Sequence, residues 1–221
     1  MDKNARNRRF GRWPRTWFCI NGSLEKINFN GRSDLRFPEE VARLVISKYS
    51  KKGNWVIDPF CGFGTTLVVA KKLGRKAMGF EINKNRANFA KKSSFDNVIN
   101  DTVENIGKYK TTKFDLLFTS PPYESFDYKT DPNGKRYLED TERIFRKIKP
   151  YMKKGAYIII EIANLTKKDE FRPQAWNVGL RLSKIFKLEG EIIRCNTSKV
   201  GGGINNDHSY SLIFKNSELI R

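Results

Sequence analysis

Short apolar runs alternate with longer amphipathic segments over most of the chain. Each run has the length and composition of a buried strand, and each segment between runs places apolar residues at helical spacing. The predicted strands cover residues 55–57, 77–80, 97–100, 116–118, 157–162, 192–195 and 210–214. Strands that alternate with helices in this way predict an α/β fold, with a mostly parallel seven-stranded sheet and helices on both faces.

Polar residues recur where four successive strands end, at Asp58, Glu81, Asp101 and Ser120, about 20 residues apart. Parallel strands present their carboxyl ends at one edge of a sheet, where ligands bind in such folds. The spacing therefore predicts one shared site. The alternative is that each acid caps the helix that follows it.

The first of these acids begins residues 58–66, DPFCGFGTT, which join a strand to a helix. A glycine turn in this position lets the backbone approach a ligand closely and directs helix N–H groups at an anionic group. The dinucleotide fingerprint would require a third glycine where Leu67 stands. The pattern therefore argues against a nicotinamide or flavin enzyme.

Residues 115–123, DLLFTSPPY, predict a buried strand that runs into a rigid turn. Each proline fixes its own φ and restricts the residue before it, so the carbonyls of Ser120 and Pro121 are held in set directions. Two fixed acceptors beside the Tyr123 ring suit a planar ring that carries an exocyclic amino group. The alternative is a stiff strand exit without a ligand.

The net charge of the chain indicates the class of molecule that it binds. The chain has 43 Lys and Arg against 24 Asp and Glu, a net charge of +19, which favours a polyanion such as nucleic acid. Residues 1–17 interleave basic side chains with Phe10, Trp13 and Trp17. We interpret residues 1–30 as a basic aromatic arm that binds nucleic acid, or as a tail that packs back on a single domain over residues 31–221.

The cysteines and the apolar stretches indicate the compartment in which the protein is expected. Cys19, Cys61 and Cys195 lie far apart without a CxxC pair, so neither a disulfide framework nor a metal site is predicted and a reducing cytoplasm is expected. No apolar stretch is long enough for a membrane span or a signal peptide. The single histidine, His208, is expected in a solvated loop, and residues 124–136 are expected to form a substrate loop or a plain connection.

The two motifs together resemble those of the DNA amino-methyltransferases, enzymes that use S-adenosylmethionine to methylate N4 of cytosine or N6 of adenine. DPFCGFGTT is similar to their cofactor motif, TSPPY to their catalytic motif, and the Phe37 segment to a motif that flanks the cofactor. This resemblance implies a Rossmann-like methyltransferase fold over residues 31–221. The serine form of the catalytic motif is more typical of the cytosine-N4 group.

The resemblance also implies roles for individual residues. Ser120, Pro121, Pro122 and Tyr123 would form the catalytic turn that holds the target base. The cofactor would contact Phe37, Asp58, Phe60, Gly62, Gly64, Thr65, Thr66, Glu81 and Asp101, with Glu81 at its ribose and Asp101 at its adenine. The amino group would attack the methyl group directly while the turn accepts its protons, and a base from a duplex would first be flipped out.

Several alternatives stay open at this point. The target could be adenine N6 in DNA or an amino group in RNA, since the cofactor motif precedes the catalytic motif here, whereas many enzymes with SPPY have the reverse order. No large target-recognition region is evident. A companion restriction endonuclease, a homodimer or a non-catalytic nucleic-acid-binding module are further hypotheses.

Overall fold

The computed structural model describes residues 17–20, 25–29, 32–94, 97–109, 112–122, 131, 134–167, 170–196 and 208–218. The strands are β1 Trp17–Ile20, β2 Glu25–Phe29, β3 Arg32–Arg36, β4 Trp55–Asp58, β5 Lys76–Phe80, β6 Val98–Ile99, β7 Phe114–Thr119, β8 Met152–Ile162, β9 Leu165–Lys167, β10 Glu170–Arg172, β11 Lys187–Asn196 and β12 His208–Lys215. The α-helices are α1 Glu39–Tyr49, α2 Thr65–Lys72, α3 Lys84–Ser94, α4 Lys135–Ile148 and α5 Gln174–Leu182.

The main sheet has the strand order β1-β11-β12-β8-β7-β4-β5-β6. Within this sheet β12 runs antiparallel to both of its neighbours, and the other pairs are parallel. All seven strands predicted from the apolar runs are present. The Rossmann-like methyltransferase fold with a mostly parallel sheet is therefore confirmed.

An eighth strand extends this sheet beyond the prediction. β1 pairs with β11 in parallel, with Trp17 opposite Ile193. β2 and β3 form a separate antiparallel hairpin. The segment interpreted as a basic arm, residues 1–30, thus contains one strand of the main sheet and one strand of a hairpin.

The helices cover both faces of the sheet with two apolar cores. One core joins α4 and α5 to the sheet and includes Phe145, Val178 and Ile158. The other joins α1, α2 and α3 to the opposite face. Pro38 precedes α1, and its fixed φ suits the start of a helix. Glu39 and Glu40 lie in the first turn, where negative charge is favoured by the helix dipole.

A buried ion pair crosses the sheet among β8, β11 and β12. The Arg194 Nε donates to a Glu161 carboxylate oxygen at 3.1 Å, and both side chains are buried. The hydroxyls of Ser209 and Ser211 donate to the same carboxylate. These hydrogen bonds give the buried charges polar partners. They also link β8, β11 and β12 in one register, because a shift of any strand would break them.

The described helices are short. α4, with 14 residues, is the longest of them, and within the described ranges no helix combines the length and hydrophobicity that crossing a membrane requires.

Candidate active site

Four adjacent parallel strands, in the order β7-β4-β5-β6, bring the predicted site residues to one edge of the sheet. Asp58 is the last residue of β4, Glu81 directly follows β5, and Ser120 directly follows β7. Asp101 follows β6 by two residues. The spacing noted in the sequence therefore corresponds to one edge in space, at the carboxyl ends of the strands.

The glycine turn after β4 lies directly on the backbone of β5. Gly62 and Gly64 have φ of 50° and 85°, a left-handed region that glycine enters without a side-chain penalty. The Cys61 N–H donates to the Phe80 carbonyl at 2.9 Å. Gly79 makes this contact possible, because a Cβ at that position would lie 2.8 Å from the Cys61 Sγ.

Space remains open above the turn itself. A Cβ added to Gly62 would meet no atom within 4 Å, so there is open space beside the backbone there. Gly64 ends the turn as the N-cap of α2, and Thr65 and Thr66 begin the helix, both buried. The first N–H groups of α2 lack partners within the helix and suit a carboxylate ligand.

The Glu81 carboxylate is held in a fixed orientation by two backbone donors. One oxygen accepts from the Gly62 N–H at 3.0 Å and the other accepts from the Asn83 N–H at 2.7 Å. A carboxylate has about four lone-pair sites, so each oxygen retains acceptor capacity for a further donor. Glu81 can therefore bind hydroxyl groups without losing its support of the turn.

Asp58 joins the glycine turn to the turn after β7. One carboxylate oxygen accepts from the Phe60 N–H at 3.1 Å and from the Thr119 hydroxyl at 2.6 Å. Burial raises the pKa of Asp58 to about 6, against the opposing effect of these hydrogen bonds. The buried Thr66 hydroxyl lies near this carboxylate and acts to lower its pKa, although its oxygen has no hydrogen-bond partner among the described residues.

The Asp101 carboxylate serves the short 3-10 helix Val103–Lys108 that follows it. It accepts from the Thr102 N–H, from the Asn105 amide with both oxygens, and from the Tyr109 hydroxyl. The hydrogen bonds from Asn105 and Tyr109 lower the pKa of Asp101. These donors use most of the acceptor capacity of the carboxylate, so its contact with a cofactor adenine stays a prediction.

The predicted catalytic turn begins at the same edge. Ser120 is half-buried, Pro121 is buried and Pro122 is exposed, while Tyr123 lies outside the described residues. Phe37 packs edge-on against Phe118 of β7, with ring centroids 5.3 Å apart. Phe60 is half-buried against the core on the opposite face of the sheet.

A comparison with known families decides what kind of fold this edge belongs to. The family model described as a methyltransferase domain matches residues 50–198, well over half of the chain. This chain belongs to the methyltransferase family. A second model, described as DNA methylase, matches residues 2–92. Together with the curated relatives of this methyltransferase, that match confirms the resemblance to the DNA amino-methyltransferases.

The curated relatives are similar over part of their length. The Type II methyltransferase M.MthZI of Methanothermobacter thermautotrophicus is 32% identical over 120 residues, 47% of this chain and 34% of the relative. M2.LlaDCHI of Lactococcus lactis subsp. cremoris is 40% identical over 73 residues, 32% of this chain and 27% of the relative. The matched part of this methyltransferase thus spans 34% of the first relative and 27% of the second.

Solved structures agree on the fold. A TehB-like SAM-dependent methyltransferase from Corynebacterium glutamicum has a TM-score of 0.55 at 13% identity, and the match covers 78% of this chain and 85% of that one. A putative rRNA-methylase from Clostridium thermocellum has a TM-score of 0.54 at 19% identity, covering 82% and 99%. At such identities the likeness extends to the fold of this methyltransferase alone.

The residues at the carboxyl edge fit S-adenosylmethionine. The open space above Gly62 leaves room for a ligand against the turn, and the remaining lone pairs of Glu81 suit ribose hydroxyls. Ile82, directly after Glu81, is 76% exposed and offers an apolar surface for a purine ring. Anionic, hydroxyl-bearing and apolar parts of such a ligand each have a matching group at the edge of this methyltransferase.

The sequence did not predict roles at the candidate site for Ile82, Asn100 and Thr119. Ile82 stands out as an apolar residue in a polar segment just after a strand-end acid, a signal that was available. Asn100 donates its amide to the Glu81 and Ile82 carbonyls at 2.8 and 3.1 Å, and the Thr119 link to Asp58 depends on strand pairing. Sequence alone gave no signal for either of these two contacts.

His208 corrects one expectation. It begins β12, is half-buried, and its Nε2 lies 3.1 Å from the Tyr210 hydroxyl. The prediction of a solvated loop histidine was wrong, because pairing with Cys195 of β11 places the residue inside the sheet. Of residues 124–136, only Asp131 and residues 134–136 are described, and the last two of these already belong to α4.

Proposed function

We propose that this chain transfers a methyl group from S-adenosylmethionine to the exocyclic N4 of cytosine in DNA. The observation that carries the proposal is the junction of the two turns at one sheet edge. Asp58 of the glycine turn and Thr119, next to Ser120, share a 2.6 Å hydrogen bond. A group held against the first turn therefore lies beside a group held by the second, as direct transfer requires.

Asp58, Phe60, the two glycines, Thr65 and Thr66 hold the amino-acid part of the cofactor in this proposal. Glu81 accepts from the ribose hydroxyls, while Phe37, Ile82 and the Asp101 segment border the adenine. The bound cofactor supplies an electrophilic methyl group on a sulfonium. The two N–H donors to Glu81 support the proposal, because they hold its oxygens ready before a ligand arrives.

Ser120 and the carbonyls of Ser120 and Pro121 accept hydrogen bonds from the N–H groups of the target amine. This favours a pyramidal nitrogen and stabilises the positive charge that grows on it during attack. The N–C bond forms as the S–C bond of the cofactor breaks, with S-adenosylhomocysteine as the leaving group and the surplus amine proton released to water. Pro121 and Pro122 stiffen the turn because each fixes its own φ. Tyr123 stacks on the base, which leaves a duplex by flipping.

Cytosine is preferred to adenine because the turn carries serine in the form more typical of cytosine-N4 enzymes. Adenine N6 is the alternative, since the glycine turn precedes the catalytic turn in this chain. DNA is preferred to RNA because the curated relatives are named Type II methyltransferases and because residues 2–92 match the DNA methylase model. The net charge of +19 agrees with either nucleic acid.

A cytoplasmic location and a companion restriction endonuclease accompany this proposal. The support is again the naming of the relatives as Type II enzymes. The proposal includes a second copy of the chain as a partner in target recognition.

The test is incubation with labelled S-adenosylmethionine and duplex DNA, single-stranded DNA or structured RNA in separate reactions, followed by nucleoside digestion and mass spectrometry. N4-methylcytosine from DNA is the expected product. N6-methyladenine would select the alternative base, and label in RNA alone would overturn the choice of DNA. Ser120→Ala is the matched variant, and turnover equal to that of the parent with intact cofactor binding would contradict the role of the turn.

A further inference from the structure

Three large apolar side chains lie exposed together beyond the end of β8. Phe171 of β10 is 44% exposed, and Trp176 and Leu180 of α5 are 52% and 68% exposed. We call these three residues the aromatic platform. Apolar groups of this size are usually covered in a protein, so a contiguous exposed set indicates a binding surface.

The platform is held rigidly. The Phe171 and Trp176 rings meet edge to face, with centroids 5.9 Å apart, a favourable arrangement for an aromatic pair. The opposite face of α5 is fully buried through Ala175, Val178 and Leu182. The helix therefore cannot rotate to bury Trp176, and the ring faces outward as part of the fold.

The platform lies at the same edge of the sheet as the candidate active site. β7 and β8 are adjacent and parallel, with Thr119 opposite Ile160. Asn164, two residues past the end of β8, is buried and accepts from the Ala175 N–H at 2.9 Å. This hydrogen bond fixes the start of α5, and with it Trp176, to the carboxyl edge beside Ser120.

The charge around the platform identifies its occupant. Residues 174–186 contain no Asp or Glu, in a chain of net charge +19. Of the two basic residues in this segment, Arg181 pairs with Glu142 at 3.0 Å, which leaves Lys184 as the cation for a ligand. Lys184 is exposed and follows Leu180 by four residues. Exposed aromatic rings beside an exposed lysine suit nucleotides, because rings stack on bases while cations bind phosphates.

We propose that the aromatic platform binds unpaired nucleotides of the substrate strand and thereby guides the strand to the catalytic turn. The inference rests on the proposed nucleic-acid methylation and names a docking surface for it. Paired bases in an undistorted duplex do not offer a face for stacking, so the platform favours single-stranded nucleic acid or a strand opened around a flipped base.

The test compares binding of a fluorescein-labelled single-stranded DNA and its duplex to the full chain and to three variants. Trp176→Ala removes the ring, Trp176→Phe keeps a ring, and Leu188→Ala removes an exposed apolar group at the opposite end of the sheet, near the start of β11. We expect Trp176→Ala to weaken single-strand binding about tenfold or more. Trp176→Phe and Leu188→Ala should stay within about twofold of the parent.

A second measurement is the tryptophan fluorescence of the protein, which an unlabelled single-stranded DNA should quench when its bases stack on Trp176. Subtracting the Trp176→Phe signal isolates Trp176 from the other tryptophans of the chain, and we expect the difference signal to fall on strand binding. Equal strand affinities of the parent and Trp176→Ala, with unchanged melting temperatures, would overturn the proposal. So would a loss of self-association in Trp176→Ala at unchanged strand affinity, because the platform would then be an interface between copies.

Failure of the platform is distinguishable from failure of the proposed function. Cofactor binding by calorimetry and methyl transfer by the parent are measured in parallel. A parent that methylates DNA while Trp176→Ala binds the strand equally well overturns the platform alone. A ring-dependent strand affinity without methyl transfer by the parent supports the platform and contradicts the proposed function.

Discussion

The Thr119 hydroxyl donates a 2.6 Å hydrogen bond to the Asp58 carboxylate, across two adjacent strands and 61 positions of sequence. Both side chains are buried. The bond is a direct link between the glycine turn and the candidate catalytic turn, because Asp58 begins the first and Thr119 precedes Ser120 of the second. Hydrogen bonds to a buried charged group contribute more than neutral ones, and they are costly to leave unmade.

Thr119→Val should destabilise the fold by about 1–3 kcal/mol, since the buried Asp58 oxygen loses the Thr119 hydroxyl and keeps only the Phe60 N–H as a donor. It should also raise the pKa of Asp58 further, because the lost hydrogen bond favours the ionised form. Denaturant unfolding and a carbon-detected NMR titration of Asp58 measure the two effects. Thr119→Ser, which keeps the hydroxyl, is the control, and equal Asp58 pKa values in the two variants would refute the link.

Asp58 should make stability depend on pH in the acidic range. Burial raises its pKa from 3.8 to about 6, so the folded state holds a proton that the unfolded chain has already released. The stabilisation is complete below about pH 4 and is lost as pH rises towards 6, amounting to roughly 1–3 kcal/mol. Asp58→Asn cannot titrate. The unfolding free energy of the parent relative to Asp58→Asn should therefore fall between pH 4 and 6, and a flat difference would contradict the raised pKa.

The α/β architecture was predictable because it depends on local periodicity. Seven apolar runs with turn residues after them specify seven strands, and strand-end acids such as Glu81 specify the edge of the candidate site. β1 was missed although residues 17–20 are all apolar, because a four-residue run beside a basic segment gives no local sign of its partner, β11. The end of β8 was predicted correctly, but its start was not, because Lys153 and Lys154 interrupt the apolar pattern.

The candidate site was predictable as a set of positions and not as a network. The position of each site residue depends on the strand that precedes it, and the apolar runs of the sequence reveal those strands. The hydrogen bond from Thr119 to Asp58 depends on the register between β4 and β7, in which Ile57 pairs with Leu117. Such register results from packing across the whole sheet, so no local pattern encodes it.

The close contact between the glycine turn and β5 gives a steric prediction. Gly79→Ala places a Cβ 2.8 Å from the Cys61 Cβ and Sγ and 2.9 Å from the Leu67 Cδ1, so the turn must shift. We expect a loss of about 1–3 kcal/mol in unfolding free energy. Gly179→Ala is the matched control in α5, where the nearest atom would lie at 3.6 Å, and a helical alanine should stabilise by about 0.5–1 kcal/mol. A melting temperature of Gly79→Ala at or above that of the parent would contradict the packing.

The buried ion pair among three strands gives a further stability prediction. Arg194→Met leaves the Glu161 carboxylate buried with two serine hydroxyls as donors and no cation, which should cost about 3–5 kcal/mol. Adding Glu161→Gln to that variant removes the unpaired charge and keeps a hydrogen-bonding group of similar size. The double variant should therefore be more stable than Arg194→Met alone in urea unfolding at neutral pH. The reverse order would show that the charge of Glu161 is compensated elsewhere.

Glu81→Gln separates the carboxylate chemistry from the shape of the turn. The Gly62 and Asn83 N–H groups point at different oxygens of Glu81, so the amide NH₂ of glutamine must face one of these two donors. We expect faster hydrogen exchange at the Gly62 or Asn83 amide and a cofactor affinity about 10- to 100-fold lower by calorimetry. Glu39→Gln is the control, because it neutralises an exposed glutamate whose partner, Lys72, lies on the outer surface of α2. Unchanged affinity in Glu81→Gln would remove Glu81 from the cofactor site, and unchanged amide exchange would remove its role in holding the turn.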